Sequence, residues 1–261
     1  MESKKTICQP LVSIIMPAYN CETYIEEAIK SVLNQSIDEW ELIVIDDCST
    51  DTTYNIARHI ANKDDRIQVY QNEENMGVAK TRNRGIALCQ GEYIAFLDSD
   101  DVWCPKKLEI QINRIKEICA DICYCSYEII GANGDKVRPD YVVPQYIDYN
   151  GLLIENVMQC SAMLVKANIV KHYMFNTEYY HEDYILGLMM LRDGKRAIGC
   201  EEILLRWRYM KNSRSFNKIA SSINRWRIYR YFLRLSFIKC LKLFLGYTFA
   251  GFRKYGKSVF K

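Results

Sequence analysis

Three carboxylates follow an apolar run within four positions, the densest concentration of acidic residues in the chain. The run spans residues 94–97, and Asp98, Asp100 and Asp101 come directly after it. Residues two apart in an extended chain project to the same side, so Asp98 and Asp100 can converge on one divalent cation. Carboxylate oxygens suit Mg2+ or Mn2+, which complete their coordination with waters and substrate phosphates. The alternative is an ordinary acidic turn between a strand and a helix, with Asp101 capping that helix.

A second pair of carboxylates, Asp46 and Asp47, follows another apolar run at residues 41–45. A carboxylate at such a strand end can accept a hydrogen bond from a base or a ribose hydroxyl, as in many α/β nucleotide sites. Alternatively, the pair only flanks the start of a helix, where the helix dipole favours negative charge. Repetition of the pattern at two strand ends favours a ligand site.

These acidic residues require strands whose carboxyl ends meet at one edge of a sheet. Apolar runs predict four strands in the first half, at residues 11–16, 41–45, 67–70 and 92–97. Helical spacing of apolar residues predicts helices between them, at residues 24–33, 56–60 and 78–88. Strands separated by single helices imply right-handed crossovers, so we expect an α/β fold with a mostly parallel sheet flanked by helices.

Local signals refine this prediction. The first strand is expected to stop at Pro17, and the segment 49–51 (Ser, Thr, Asp) to cap the second helix. In the second half the pattern predicts strands at residues 121–130 and 161–165, a turn at 131–134 and a helix that opens at 182–183.

A glycine-containing loop precedes two basic residues in the first turns of the third predicted helix. Gly77 lies in the loop, and Lys80 and Arg82 follow it. A positive helix start with an arginine suits a diphosphate, although exposure at the surface is the ordinary explanation of a single basic residue. Neither a P-loop lysine motif nor G-x-G-x-x-G occurs, so kinase, ATPase and dinucleotide-binding functions lack their main support.

The composition indicates one domain with an appendage. The chain has 261 residues, 49% of them apolar, enough for a sizeable core. Residues 1–202 contain 20 Lys and Arg against 32 Asp and Glu, whereas residues 203–261 contain 15 Lys and Arg and no acid. No apolar run reaches the roughly 18–20 residues of a membrane span, and none near the N-terminus suits a signal peptide. The eleven cysteines show no C-x-x-C pair, and those in apolar segments are expected to be buried in a reducing cytosol: Cys89, Cys119, Cys123, Cys125 and Cys200.

Four motifs occur in order within residues 10–215. They are V-S-I-I-M-P-A-Y-N at 12–20, I-D-D-C-S-T-D at 45–51, N-M-G-V-A-K-T-R-N-R-G at 75–85 and F-L-D-S-D-D at 96–101. Together they resemble the signatures of the inverting family 2 glycosyltransferases. The resemblance implies a GT-A fold that binds a nucleotide sugar. Cys48 departs from the family's pattern, because it stands where glycine is usual, which puts only the local turn geometry in doubt.

The resemblance also implies roles for particular residues. Asp47 would lie near the uracil, Arg82 near the base or diphosphate, and Asp98 and Asp100 on the ribose and on Mn2+ or Mg2+. The nucleotide-sugar site as a whole would comprise Pro17, Ala18, Tyr19, Asn20, Glu22, Asp46, Asp47, Lys80, Arg82, Asp98 and Ser99.

A third acidic pair, Glu182 and Asp183, opens a predicted helix in the half that must supply the acceptor site. Asp183 is the candidate general base, which would remove the proton from the acceptor hydroxyl as its oxygen attacks the anomeric carbon. The resemblance, in which a Glu-Asp pair at this place provides the base, favours this role over simple stabilisation of the helix start. No second carboxylate suits a double displacement. His181, one of three histidines, is more easily a polar loop residue than a metal ligand.

Within the family, the chain is similar to bacterial enzymes that build O-antigen, capsule and teichuronic acid. The expected reaction is transfer of a hexose, glucose or galactose, from a UDP-sugar to GlcNAc or GalNAc on diphospho-undecaprenol. A teichuronic-acid or exopolysaccharide acceptor is the alternative, and a sugar nucleotidyltransferase a more distant one. Arg206-Trp207 matches the end of the Q-x-x-R-W signature of processive members, but Ile203 replaces the glutamine, so one sugar per encounter is expected.

The expected domains are a catalytic domain at residues 1–215, with a nucleotide-binding half at 10–103 and an acceptor half at 104–215, and a basic helical tail at 216–261. Arg214 would belong to a flexible segment over the donor site. Basic and aromatic residues alternate through 223–252, as suits the anionic cytoplasmic face of the inner membrane. The alternatives are packing on the domain or in a homodimer. Nucleic-acid binding is disfavoured because residues 1–202 are acidic.

Overall fold

The computed structural model describes residues 9–210 and 218–255. One nine-stranded sheet has the strand order β3-β2-β1-β4-β8-β6-β9-β5, with β7 paired to β6. The strands are β1 (Val12–Ala18), β2 (Trp40–Asp46), β3 (Ile67–Gln71), β4 (Tyr93–Phe96), β5 (Val102–Trp103), β6 (Ile122–Ile130), β7 (Lys136–Tyr141), β8 (Leu164–Lys166) and β9 (Ala197–Arg208). The helices are α1 (Ile25–Leu33), α2 (Thr53–Ala61), α3 (Val78–Leu88), α4 (Lys107–Ile118), α5 (Tyr149–Ile154), α6 (Ala167–Tyr173), α7 (Glu182–Arg192), α8 (Lys218–Arg227) and α9 (Phe237–Tyr255).

The mostly parallel α/β sheet predicted from the sequence is confirmed. Strands β1 to β4 run parallel to one another, and β6 and β9 share their direction, whereas β5, β7 and β8 run the opposite way. Every residue of β1 and β2 is buried. Alternate residues of these strands enter two apolar clusters, because a strand projects side chains to both faces of its sheet. Helices α1, α2 and α4 cover one face, and α3 and α5 to α7 cover the other.

Two strand predictions were wrong in detail. Strand β1 does not stop at Pro17 but continues to Ala18. Strand β4 pairs with β1 only as far as Ile15, so the missing N–H of Pro17 removes no ladder bond to β4. The strand predicted at residues 161–165 begins only at Leu164, because residues 160–162 form a 3-10 turn. The turn lets Ser161 accept a hydrogen bond from the Asp98 backbone N–H, at 3.0 Å.

Cys119 was also predicted incorrectly, since it is exposed. It ends helix α4 in a left-handed conformation, with φ of 52°, which carries its side chain out of the apolar stripe of the helix. The other four cysteines of the prediction are buried, and the described cysteines are all free thiols.

The described part of the tail lies against the domain. Helix α8 continues into a π-helical turn (Ile228–Phe232), and Tyr229 and Cys240 are buried in the same apolar cluster as α5 and α7. Helix α9 contacts α5. No helix among the described residues combines the length and apolar character needed to cross a bilayer.

Candidate functional site

The acidic turn after β4 directs its three carboxylates to different surroundings. The Asp101 N–H donates to the Asp98 carbonyl at 3.0 Å, which closes a tight turn. The Asp98 side chain is 34% exposed, while Asp101 is buried and accepts a hydrogen bond from the Arg208 N–H at 2.8 Å. Asp101 is thus bound to strand β9, which contains Arg208. It does not cap α4, whose N-cap is Lys106.

Arg208 connects this turn with neighbouring elements of the fold. Its buried guanidinium donates through Nε to the Asp100 carbonyl at 2.7 Å and through Nη2 to Glu27 of α1 at 2.6 Å. Nη1 donates to the carbonyls of Gly131 and Ala132 in the β6–β7 turn, at 3.1 and 2.9 Å. The residue therefore fixes the acidic turn to the sheet and to helix α1.

The carboxylates of the acidic turn influence one another's pKa. Burial, and then the nearby Asp98 carboxylate, raise the pKa of Asp100 to about 6. Burial likewise raises the pKa of Asp101 well above its ordinary value, and Asp100 and Asp98 add to this effect. Carboxylates that repel one another in this way suit a hard divalent cation, which would offset their charge. Within residues 9–210 and 218–255, no three His, Cys, Asp or Glu side chains form a group able to hold a metal ion.

Arg82 connects the acidic turn with the Glu-Asp pair of α7. It is 3% exposed, and it donates through Nη2 to Asp98 at 2.6 Å and through Nη1 to Glu182 at 2.7 Å. Its guanidinium carbon lies 5.3 Å from the centre of the Phe175 ring. Both outer nitrogens therefore already bind carboxylates, and Arg82 acts through Asp98 and Glu182 in this conformation. Glu182, for which the sequence suggested an acceptor-binding or lid role, is buried in this ion pair.

Asp183, next to this ion pair, is held from two directions. Its Oδ2 accepts a hydrogen bond from Asn156 at 3.3 Å, and its Oδ1 accepts from the Tyr184 N–H at 2.7 Å. Burial, and then the Glu182 carboxylate, raise its pKa to about 6, while Arg82 opposes the shift. A carboxylate with a pKa near neutrality can take a proton in the transition state, as a general base requires.

The second acidic pair shapes the loop before α3. Asp47 is buried, and its Oδ1 accepts hydrogen bonds from Asn72 and from the Met76 N–H, at 2.7 and 2.9 Å. Its Oδ2 accepts from the Gly77 N–H at 2.8 Å, where Gly77 has φ of 83°. Asp46, also buried, accepts from the Ser49 N–H and from the Gln71 side chain.

The loops after β1 and β2 are tied together. Asn20 accepts a hydrogen bond from the Thr50 N–H at 2.8 Å, and Glu22 accepts from the Thr52 N–H at 3.0 Å. Pro17 and Ala18 end the buried strand β1, whereas Tyr19 is 49% exposed above it.

Several other predicted residues are placed as follows. Cys48 has φ of 63°, a left-handed conformation that explains why glycine is usual there. Ser99 lies in the acidic turn, and Lys80 is exposed on the first turn of α3. His181, the N-cap of α7, also has a left-handed backbone, with φ of 64°. Arg214 falls outside the described residues.

Sequence reasoning missed three residues that position the site. They are Arg208, Asn156 and Ser161, which bind the turn or the base through hydrogen bonds to residues distant in the sequence. The only signal that could have drawn attention to Arg208 was its place two residues after Arg206 of the R-W match.

A mostly parallel sheet with polar loops after β1 and β2, an acidic turn after β4 and a base candidate on α7 fits a sugar-nucleotide-dependent transferase. The chain matches the family described as Glycosyl transferase family 2 over residues 13–183. It belongs to this family and is a glycosyltransferase, as the motifs predicted.

Two curated relatives span nearly the whole chain. A putative teichuronic acid biosynthesis glycosyltransferase, TuaG, of Bacillus subtilis is 35% identical over 240 residues, covering 92% of this chain and 95% of TuaG. The UDP-Glc:alpha-D-GlcNAc-diphosphoundecaprenol beta-1,3-glucosyltransferase WfgD of Escherichia coli is 36% identical over 247 residues, covering 94% of this chain and 95% of WfgD. A crystal structure of S. aureus TarS in complex with UDP-GlcNAc superposes with a TM-score of 0.73 at 23% identity, covering 93% of this chain and 72% of TarS 1–349. The fold is therefore the GT-A fold.

Proposed function

We propose that this glycosyltransferase moves a hexose, glucose or galactose, from a UDP-sugar to GlcNAc or GalNAc on diphospho-undecaprenol in bacterial surface polysaccharide assembly. WfgD, by its name, performs such a reaction with UDP-Glc. A teichuronic-acid intermediate is the second candidate acceptor, because TuaG is similar over nearly the same span. The observation that supports the proposal is that one buried arginine, Arg82, pairs both with Asp98 of the acidic turn and with Glu182, the residue before Asp183.

Asp183 acts as the general base in this proposal. Its carboxylate takes the proton of the acceptor hydroxyl, whose oxygen forms a bond to the anomeric carbon as the bond to the UDP oxygen breaks. Direct displacement from the opposite side inverts the anomeric centre. One sugar is transferred per encounter, since Ile203 replaces the glutamine of the processive signature.

Asp98 and Asp100 are the proposed protein ligands of Mn2+ or Mg2+. Asp98 gives only Oδ1 to Arg82, so within the described residues its Oδ2 remains available for an ion. A divalent cation bound here supplies positive charge that stabilises the leaving diphosphate. The loops that contain Asn20, Asp46 and Asp47 bind the nucleoside, and Lys80 lies where it can approach the phosphates.

The test is release of UDP from a panel of UDP-sugars with a synthetic GlcNAc- or GalNAc-diphospho-lipid, in Mn2+ or in EDTA. We expect cation-dependent release with one sugar and its transfer to the lipid. If no UDP-sugar in the panel releases UDP, although the protein is folded and binds UDP, the proposed donor class is refuted. Transfer only to a teichuronic-acid intermediate would establish the second candidate.

We also propose that α9 contacts the anionic cytoplasmic face of the inner membrane, so that the enzyme is peripheral there. Four apolar side chains along α9 are between 45% and 73% exposed: Ile238, Leu241, Leu245 and Phe249. Their spacing of three or four residues places them on one helical face. Exposed Lys239 and Lys242 flank the face, and residues 203–261 contain no acid. An apolar stripe with basic flanks suits an anionic lipid surface.

Sedimentation with phosphatidylglycerol vesicles tests this contact. The double substitution Leu241→Asp/Leu245→Asp should reduce binding at least about tenfold, given about 0.8 kcal/mol per buried CH2 group. Val142→Asp, on a side chain that is 59% exposed outside the tail, is the matched control and should bind normally. A dimer in solution that is lost in the Leu variant, without vesicle binding by the parent, would assign the face to self-association instead.

A further inference from the structure

The tail contacts the two segments that flank Asp183. From α8, Asn224 donates a hydrogen bond to the carbonyl of Tyr180, three residues before Asp183. From the π-helical turn, the hydroxyl of Tyr229 donates to the carbonyl of Leu153, near the end of α5. Asn224 is 44 positions from Tyr180 and Tyr229 is 76 positions from Leu153, so one part of the tail binds two segments that precede it by a long stretch of chain.

Leu153 is connected to Asp183 by two routes. Its carbonyl also accepts a hydrogen bond from the hydroxyl of Tyr184, the residue after Asp183, at 3.2 Å. Three residues after Leu153, Asn156 donates to Asp183 Oδ2. A shift of the α5 end would therefore move Asn156, which holds one oxygen of the base, and would disturb the start of α7.

Arg225 adds a third contact from the same helix. It is 5% exposed, and its guanidinium carbon lies 3.6 Å from the centre of the Tyr184 ring and 4.8 Å from that of Tyr247 in α9. A desolvated cation is attracted to the face of an aromatic ring. The stack therefore fixes α8 against both α7 and α9.

The backbone between Tyr180 and Asp183 requires such support. His181 adopts a left-handed conformation, with φ of 64° and ψ of 49°. For residues other than glycine this conformation is strained and persists only where neighbouring contacts maintain it. The hydrogen bond from Asn224 to the adjacent Tyr180 carbonyl is one such contact.

We propose that the tail segment 224–229 is part of the active site's positioning machinery and holds Asp183 in the orientation in which it receives the acceptor proton. Asn224, Arg225 and Tyr229 are positioning residues, since they act through Tyr180, Tyr184 and Leu153. The proposal rests on the proposed role of Asp183 as base. It goes beyond membrane contact by α9, because the segment faces the domain and its contacts are independent of lipid.

Two substitutions test it in the full-length enzyme. Tyr229→Phe removes one hydroxyl and keeps the buried ring, and Asn224→Ala removes the bond to Tyr180. The matched controls are Tyr231→Phe, whose ring is 64% exposed, and Ser222→Ala on the same helix as Asn224. The assays are kcat and KM for the UDP-sugar with the lipid acceptor, UDP affinity by titration, and the pH profile of kcat.

We expect kcat to fall about tenfold in each test variant, since misplacement of a reacting group by a fraction of an ångström has effects of this order. UDP affinity and donor KM should stay within about twofold, because the donor loops are untouched. The acidic limb of the kcat profile should also move, as a loosened base is less desolvated. Both controls should retain parental kinetics.

Unchanged kcat in folded Tyr229→Phe and Asn224→Ala proteins would overturn the proposal. So would a loss of UDP affinity in proportion to kcat, since that result indicates general disruption of the fold. Failure of the base assignment is distinguishable, because it would appear as retained turnover in Asp183→Asn whatever the tail variants do.

Discussion

Replacement of Arg82 by methionine should destabilise the protein strongly, because it removes the arginine that is ion-paired with a buried carboxylate, Glu182. Methionine keeps the apolar stem beside Phe175 but removes both N–H···O bonds, of 2.6 and 2.7 Å. The Glu182 side chain is 4% exposed, so its charge cannot be solvated once Arg82 is gone. Breaking a buried pair on one side costs about 3–5 kcal/mol.

The contribution of Asp98 is smaller. Its side chain is 34% exposed, and water can compensate much of the lost contact, so we assign this half at most about 1 kcal/mol. The whole substitution should therefore lower the free energy of unfolding by about 4 kcal/mol. Urea denaturation at pH 7 measures this value, provided that the slope against denaturant is unchanged.

A second substitution separates charge from packing. In Arg82→Met/Glu182→Gln the buried group is neutral, so the double variant should recover about 2 kcal/mol relative to Arg82→Met. The control Arg114→Met removes an ion pair whose side chains are 40% and 65% exposed, and it should change stability by less than about 0.5 kcal/mol. The reasoning is refuted if Arg82→Met loses under about 1 kcal/mol, or if the double variant is no more stable than Arg82→Met.

Three further predictions concern the base, the acidic turn and the strained loop. Since burial raises the pKa of Asp183 to about 6, kcat should be constant above that pH and should fall about tenfold per pH unit below it. The variant Asp183→Asn should bind UDP normally but show no turnover. Arg208→Lys should raise the concentration of Mn2+ needed for half-maximal activity about tenfold, since lysine cannot reproduce the planar set of donors. The control Arg206→Lys, at a half-buried site on the same strand, should leave that concentration unchanged. Cys48→Gly should raise the free energy of unfolding by up to about 1 kcal/mol by removing left-handed strain, whereas Cys48→Ala should not.

Each of these has a contrary result. Turnover by Asp183→Asn, or a flat profile down to pH 4.5, excludes Asp183 as the base. An equal Mn2+ requirement in the Arg208 and Arg206 variants shows that the acidic turn holds its shape without Arg208. Equal stabilities of Cys48→Gly and Cys48→Ala mean that the turn carries no measurable strain.

The parallel half of the fold was predictable because its strands are buried on both faces. Continuous apolar runs such as 41–45 report that burial directly, and the ends of the four strands in the structure differ from the predicted ends by at most two residues. Strand β9 was not predicted, since its half-exposed centre contains Glu201 and Glu202 and masks the alternation. Strand β7 is mostly exposed at a sheet edge and carries no apolar pattern.

The site was predictable to the extent that its chemistry lies in side chains at strand ends. The acidic turn and Asp183 were located from their residue types and order. The role of Arg208 was not, because its partners include the Asp100 carbonyl, 108 positions away. Backbone carbonyls are the same in every residue, so such contacts leave no trace in sequence spacing.

The balance of charge around Arg82 explains why a cation belongs to the proposed mechanism. Arg82 neutralises Glu182 and shares Asp98, and the guanidinium of Arg208 is directed at carbonyls and at Glu27. Asp100, Asp101 and Asp183 form no ion pair among the described residues, and the pKa of each is raised, first by burial. A diphosphate that entered this surrounding alone would add to the repulsion. In the proposed mechanism a divalent cation would supply the opposing positive charge, with Asp98 and Asp100 as its proposed ligands.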